Sequence, residues 1–234
     1  TTDLSTNTES SAASDVYKRQ DLASSALTMD KVRSKWIWAQ NGINTPPFDH
    51  FGPDDDDYAR VLEKFGLPLF VKPTGLGSSI GVSPVRSENE LLPAVDLARS
   101  YGDTVIVEAG IEGDEFFAGV LGRNTLPLIR VETPNDFYDY EAKYESDDTE
   151  YFCPCGLDAK LEAELKALSF KAYEILGASG WGRVDFLMDK DGIPWFLEVN
   201  TTPGMTDHSL VPQAAAEVGI GFDELVWRIL ETSL

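Results

Sequence analysis

Cysteine and histidine are nearly absent from this 234-residue chain, which has two of each. Cys153 and Cys155 stand one residue apart, too close for an ordinary disulfide and not a CxxC pair, so neither a disulfide framework nor a zinc centre is predicted. Neither lies in a pattern with a histidine, and a thiol nucleophile is not expected. Cations are scarce as well: 19 Lys and Arg face 40 Asp and Glu, a formal charge of −21 and an isoelectric point near 4.3. Such a surface repels a phosphate backbone or an anionic leaflet, so no nucleic acid and no membrane is expected as a partner. An anionic substrate would require the few cations to cluster at its site, or a metal to offset the charge. No apolar run approaches the roughly 18 to 20 residues of a membrane-spanning helix, and no basic segment followed by an apolar one opens the chain. A reducing cytoplasmic setting fits this composition.

With 42% hydrophobic and 11% aromatic residues, most of the chain can bury a core. Residues 1–21 are rich in Ser and Thr without helical or strand periodicity, which predicts a disordered or foreign tail. Met29 to Gln40 alternates apolar and basic residues at helical spacing, a helix with several cations on one side. Asn44 to Pro47 is expected to be a loop, and Tyr58 to Phe65 a short helix. Leu69 to Lys72 and Val82 to Val85 read as a hairpin around an oversized small-residue turn, residues 73–81. A helix over Glu88 to Ser100 and strands over 104–108, 114–121 and 126–131 follow. Residues 132–156 are expected to form a long irregular loop. A helix over Asp158 to Leu176, a hairpin of Gly182 to Met188 with Ile193 to Asn200, and helices over 212–218 and 222–231 complete the pattern. The mixed order predicts an α+β fold of two subdomains, residues 22–110 and 111–234.

Chemistry concentrates in the last hairpin. Period 2 puts Arg183 and Asp185 on one face of its first strand and Glu198 with Asn200 on one face of its second, leaving Leu197 and Val199 opposite. Two readings remain open: a solvated face with cross-strand ion pairs, or an oxygen-only ligand set suited to Mg²⁺ or Mn²⁺. The loop from Gly75 to Gly81 has neither the dinucleotide-binding nor the P-loop spacing. It can still fold over phosphates with backbone N–H groups and the hydroxyls of Ser78 and Ser79, while Lys72 acts as a point charge. Tryptophans 36, 38, 181, 195 and 227 are expected in the core or in helix packing.

The segments Phe70-Val-Lys-Pro73, Gly77-Ser-Ser79, Phe137-Tyr-Asp-Tyr-Glu-Ala-Lys-Tyr144, Gly180-Trp-Gly-Arg-Val-Asp185, Leu197-Glu-Val-Asn-Thr-Thr-Pro-Gly-Met-Thr206 and His208-Ser-Leu-Val-Pro212 occur in order over residues 22–234. Together they resemble the D-alanine-D-alanine ligase family of ATP-grasp enzymes. The resemblance implies two α+β subdomains clasping ATP between them and an ATP-dependent ligase. It would join two D-alanine molecules through an acyl phosphate for peptidoglycan precursor synthesis, with two Mg²⁺ or Mn²⁺ ions. It implies that Lys31, Lys72, Ser79 and Lys143 meet the phosphates, that Glu108 and Ile111 line the adenine pocket, and that Glu115 accepts from the ribose. Asp185, Glu198 and Asn200 would hold the metals, and Arg183, Tyr144, Ser78 and the Gly204 N–H would form the catalytic set. Ser209 and Leu210 would receive the second D-alanine, and a homodimer is compatible with the family. The family's further N-terminal domain has only the Ser/Thr-rich tail as counterpart here. The alternatives are a nucleotide-binding fragment without ligase activity, another ATP-grasp carboxylate-amine ligase, or a D-alanine-D-lactate ligase. Tyr144 speaks against the last, because an aromatic hydroxyl there accompanies an amine acceptor in the family.

Overall fold

The computed structural model describes residues 22–132, 149–206 and 208–232. The expected tail, 1–21, and the stretch 137–144 that carries Lys143 and Tyr144 lie outside the described residues. Helical spacing begins earlier than predicted and is interrupted: α1 covers Leu22–Met29 and α2 covers Lys31–Gln40. Asp30 separates them in extended conformation, its carboxylate accepting from the Arg33 N–H at 2.9 Å as the cap of α2.

The first sheet combines β1 (Phe48–Phe51), β2 (Leu69–Pro73), β3 (Ser83–Val85) and β4 (Val105–Ala109) in the antiparallel order β1-β4-β2-β3, with α3 (Ala59–Phe65) and α4 (Glu88–Arg99) against it. Alternation sorts its faces. Leu69 and Val71 of β2 and Val105 and Val107 of β4 pack with Val61 of α3 and Leu91 and Val95 of α4. Phe70, Lys72 and Glu108 therefore point the other way. Strand β1 was not anticipated, since Phe48-Asp-His-Phe51 is short and polar at its centre.

The second sheet holds β5 (Gly113–Leu121), β6 (Asn124–Glu132), β7 (Glu150–Phe152), β8 (Trp181–Asp189) and β9 (Pro194–Asn200), ordered β7-β6-β5-β8-β9 and antiparallel throughout. Strand β7 falls inside the segment expected to be irregular and pairs with β6. One face packs on α5 (Ala159–Glu174) through Phe116, Leu128, Val184, Phe186 and Phe196. Part of the other packs on α6 (Leu210–Glu217) and α7 (Phe222–Glu231) through Phe117, Ile129 and Trp181. The architecture is α+β.

Helix α2 belongs to this second body. Trp38 is fully buried among Phe186, Phe196 and Tyr173, and its indole N–H donates to the Ala172 carbonyl at 2.8 Å. The chain thus starts on the second sheet, crosses to the first and returns, whereas the boundary read from the sequence assigned residues 22–110 to one unit. Trp181 is also buried, but Trp36 and Trp227 are exposed, against expectation. Both cysteines are unpaired, and burial pushes both thiols up, Cys153 to about 11, which keeps them poor nucleophiles. Among the described residues no helix is long and apolar enough to cross a membrane.

Candidate active site

A cavity of about 650 Å³ opens between the two sheets. Its first wall comes from the face of β2 and β4 turned away from the α3/α4 core. Phe70 lies opposite Glu108 in the ladder, and Lys72, one pleat further along the same face, reaches it diagonally with Nζ 2.8 Å from Oε2. A second lysine meets the same carboxylate from behind: Lys35 of α2, with no exposed side-chain surface, lies 3.1 Å from Oε1. Lys35 Nζ also donates to Thr45 Oγ1 at 2.7 Å, and that hydroxyl donates to the Phe196 carbonyl at 2.8 Å. Burial would raise the Glu108 pKa, but the charges of Lys35 and Lys72 overcome it and hold the carboxyl down at about 2. Burial lowers Lys35 to about 8 against the pull of Glu108, while for Lys72 the same carboxylate outweighs burial and raises the ammonium.

One helical turn before Lys35, Lys31 projects from the same side of α2. Its ammonium donates to the Leu76 carbonyl and lies 3.3 Å from Glu198 Oε2, so it ties the β2–β3 loop to the second sheet. In that loop Ser78 and Ser79 have φ of 54° and 57°, a left-handed conformation that turns successive backbone groups toward one side.

The second wall is built by β5, β8 and β9. The ladder sets Asp185 opposite Glu198 and Arg183 opposite Asn200, and a bulge follows at once, because Phe186 pairs with Phe196. Leu197 is the extra residue. The expectation that it lies opposite Glu198 is corrected here: Leu197 and Glu198 both line the cavity, while Phe196 and Val199 go to the core. Asp185 is almost fully buried and receives both arms of the Arg183 guanidinium, Nε to Oδ1 at 2.7 Å and Nη2 to Oδ2 at 2.8 Å. Arg183 in turn lies over the Phe117 ring, 5.1 Å from its centre. Asn200 Oδ1 accepts from the Thr202 N–H.

The donors on this face are two carboxylates and a carboxamide, and among the described residues no group of three His, Cys, Asp or Glu is gathered closely enough to hold a metal by itself. Hard oxygens adjacent across a ladder fit Mg²⁺ or Mn²⁺ that draws its remaining ligands from phosphates and water, not a closed all-protein cage.

Of the residues singled out from the sequence, Lys31, Lys72, Ser79, Glu108, Ile111, Glu115, Asp185 and Glu198 line this one cavity. Arg183 and Asn200 stand beside it on the strands that carry Asp185 and Glu198, and Ser78 precedes Ser79 in the loop. Gly204 and Ser209 lie apart from the lining but against each other: a side chain at Gly204 would come within 2.8 Å of Ser209 Oγ, which accepts from the Thr206 N–H. The Leu210 side chain is buried with Val211 and Ala214 in the core, away from the cavity lining. Only its backbone amide, in the first turn of α6, lacks a helical acceptor. The sequence reading missed Lys35, whose signal was its i, i+4 spacing from Lys31, and the apolar walls Phe70, Leu187 and Leu197.

Two antiparallel sheets gripping a cleft, lysines on one wall and paired carboxylates on the other, define the ATP-grasp class. Comparison with known proteins narrows this. Residues 37–231 match the family model described as D-ala D-ala ligase C-terminus. A D-alanine–D-alanine ligase of Methylococcus capsulatus is 54% identical over 209 residues, 89% of this chain and 67% of the relative; one of Burkholderia mallei is 49% identical over 222 residues, 93% and 71%. Among solved structures, the VanG D-Ala:D-Ser ligase of Enterococcus faecalis superposes with a TM-score of 0.82 at 33% identity, covering 92% of this chain and 64% of that one. A D-alanine–D-alanine ligase of Bacillus anthracis gives 0.81 at 37% identity over 91% and 69%, and its ATP complex gives 0.79 at 33% over 91% and 68%. The chain belongs to the D-alanine–D-alanine ligase family and spans about two thirds of the length of the relatives it matches.

Proposed function

We propose that this cavity binds ATP and that the site joins two D-alanines through an acyl phosphate, supplying a cytoplasmic dipeptide for peptidoglycan precursors. A carboxylate oxygen of the first D-alanine attacks the γ-phosphorus and ADP leaves. The amine of the second then attacks the acyl carbon, loses a proton and expels phosphate as the peptide bond forms. Lys31 and Lys72 face the triphosphate, whose charge the otherwise acidic molecule would repel. Glu108 and Ile111 flank the base and Glu115 accepts from the ribose. Asp185, Glu198 and Asn200 would hold Mg²⁺ or Mn²⁺, which supplies charge neutralisation along the phosphates. Arg183 and the Gly204 N–H serve the oxyanion of the acyl-transfer step, where fixed positive potential stabilises developing charge. Ser78 and Ser79 cover the phosphates, Lys143 and Tyr144 complete the set, and Ser209 with the Leu210 amide receives the second amino acid.

The observation that carries this reading is the convergence of Lys31 from α2, Lys72 from the first sheet and Asp185 and Glu198 from the second on one cavity of a D-alanine–D-alanine ligase family member. Release of ADP is measured with D-alanine alone, with D-alanine plus D-serine or D-lactate, and with no amino acid present. Release that depends on D-alanine supports the ligase; dependence on one of the other acceptors reassigns the substrate. ATP binding with no acceptor-dependent turnover leaves a nucleotide-binding module.

A further inference from the structure

Lys35 is the one fully buried lysine among the described residues, and none of the roles assigned above uses it. It does not line the cavity, yet it meets Glu108, which does, and Glu108 in turn holds Lys72. The three groups form a continuous row, cation, anion, cation, running from the buried seam between α2 and the first sheet into the nucleotide cavity. Their charges sum to plus one. Without Lys35, Glu108 and Lys72 would stand as a simple ion pair, and that pair would sum to zero.

We propose that Lys35 is a remote electrostatic positioning residue for the triphosphate: by engaging the far oxygen of Glu108 it leaves the Lys72 end of the row with net positive charge to offer an anion. The inference rests on the reading of the cavity as an ATP site. Three features support it. First, the two lysines contact different oxygens of Glu108, so neither displaces the other. Second, Lys35 is held by more than Glu108: Thr45 Oγ1 and the Phe196 carbonyl, at 2.7 and 3.4 Å, fix its ammonium from two other segments. Third, the surroundings are acidic. Glu115, Asp185 and Glu198 line the same cavity, and the charge of Lys31 is already engaged by Glu198. Seven carboxylates in all line the cavity against Lys31, Lys72 and Arg86, so a neutral Lys72–Glu108 pair would leave the lining as a whole strongly negative. A buried charge acts over a longer effective range than one screened by water, so Lys35 can be felt by phosphates it does not touch.

The test separates charge from architecture by comparing ligands that differ in phosphates. Binding of adenosine, ADP and ATP, the nucleotides with Mg²⁺, is measured by calorimetry on the full chain and on Lys35→Met, Glu108→Gln and the double variant. In Lys35→Met the row is neutral, and ATP affinity falls by about tenfold, ADP by less, adenosine unchanged. In the double variant the row is again plus one, because the carboxamide that replaces the Glu108 carboxylate is uncharged and still accepts from Lys72, and the ratio of ATP to adenosine affinity recovers toward that of the unsubstituted chain, adenosine serving as the reference because Glu108 also flanks the base. Glu108→Gln alone binds ATP at least as tightly as the unsubstituted chain relative to adenosine. Thermal unfolding shows which variants are folded; if Lys35→Met is not, Lys35→Gln, which keeps a hydrogen-bonding group toward Thr45 and Glu108, carries the comparison. Equal losses for adenosine and ATP in Lys35→Met, or a double variant whose ATP-to-adenosine ratio is no higher than that of Lys35→Met, overturn the inference and leave Lys35 a packing residue. If the unsubstituted chain binds no ATP, the reading of the cavity falls first and the inference with it.

Discussion

Glu108 concentrates the physical tension of the molecule at a single side chain. A carboxylate with almost no exposed surface costs several kcal/mol to desolvate, and two ammonium groups at 3.1 and 2.8 Å offset that cost. The balance has a pH signature whose sign follows from linkage. The folded-state pKa of Glu108 is depressed from 4.5 to about 2, so its stabilisation is present above pH 4.5 and is lost as pH falls toward 2. Acid unfolding of the unsubstituted chain should therefore take up about one proton more over that window than unfolding of Glu108→Gln, a difference read from the slope of stability against pH. Equal slopes would mean that Glu108 is not held ionised inside. Asp185 and Arg183 are a different case: their face was legible in the sequence from period 2 alone, because both charges fall on strand positions of the same parity. Lys35 was visible only as one of several cations on a helix. Whether a helical lysine is buried depends on which side meets another sheet, and that information sits 161 residues away at Phe196.

At the scale of elements, the β8–β9 hairpin was readable because its turn is chemically explicit. Asp189 Oδ1 accepts from the N–H groups of Asp191 and Ile193, and Gly192 takes a φ of 77° that suits glycine. The bulge inside the hairpin was not readable, since Leu197 is as apolar as the core residues beside it and only the pairing of Phe186 with Phe196 reveals the slip. Helix α1 escaped because Leu22–Met29 lacks a strong polar face, and β1 because four residues are too few to show a period. Where the chain enters the second sheet, β5 and β8 leave no room for a side chain at the first residue of β5. A Cβ on Gly113 would stand 2.1 Å from the Met188 carbonyl oxygen, an overlap that only separation of β5 from β8 can relieve. Gly113→Ala is expected to destabilise the fold by about 2 to 4 kcal/mol. A shift of the denaturant midpoint checks it, and an unchanged midpoint would show that the strand ends slide apart freely.

Taken as a whole, the molecule places few cations in an acidic body and directs Lys31 and Lys72 into the cleft between its sheets. A ligand bound there touches both bodies, so it should stabilise them together. With free Mg-ATP at a hundredfold over its dissociation constant, the gain is about 2.7 kcal/mol, expressed as one cooperative transition moving to higher temperature. Two separated transitions, only one of them shifted, would show that the nucleotide grips a single sheet. The path of the chain also sets a schedule. Helix α2 leaves the ribosome with its Trp38 face uncovered, and its partner Phe196 on β9 follows only 158 residues later. At roughly 5 to 20 residues per second, that is about 8 to 30 s of synthesis. Residues 48–109, carrying the first sheet and its helices, emerge complete within this interval. The nascent chain thus waits with α2 unburied, and a chaperone is expected to bind there during translation.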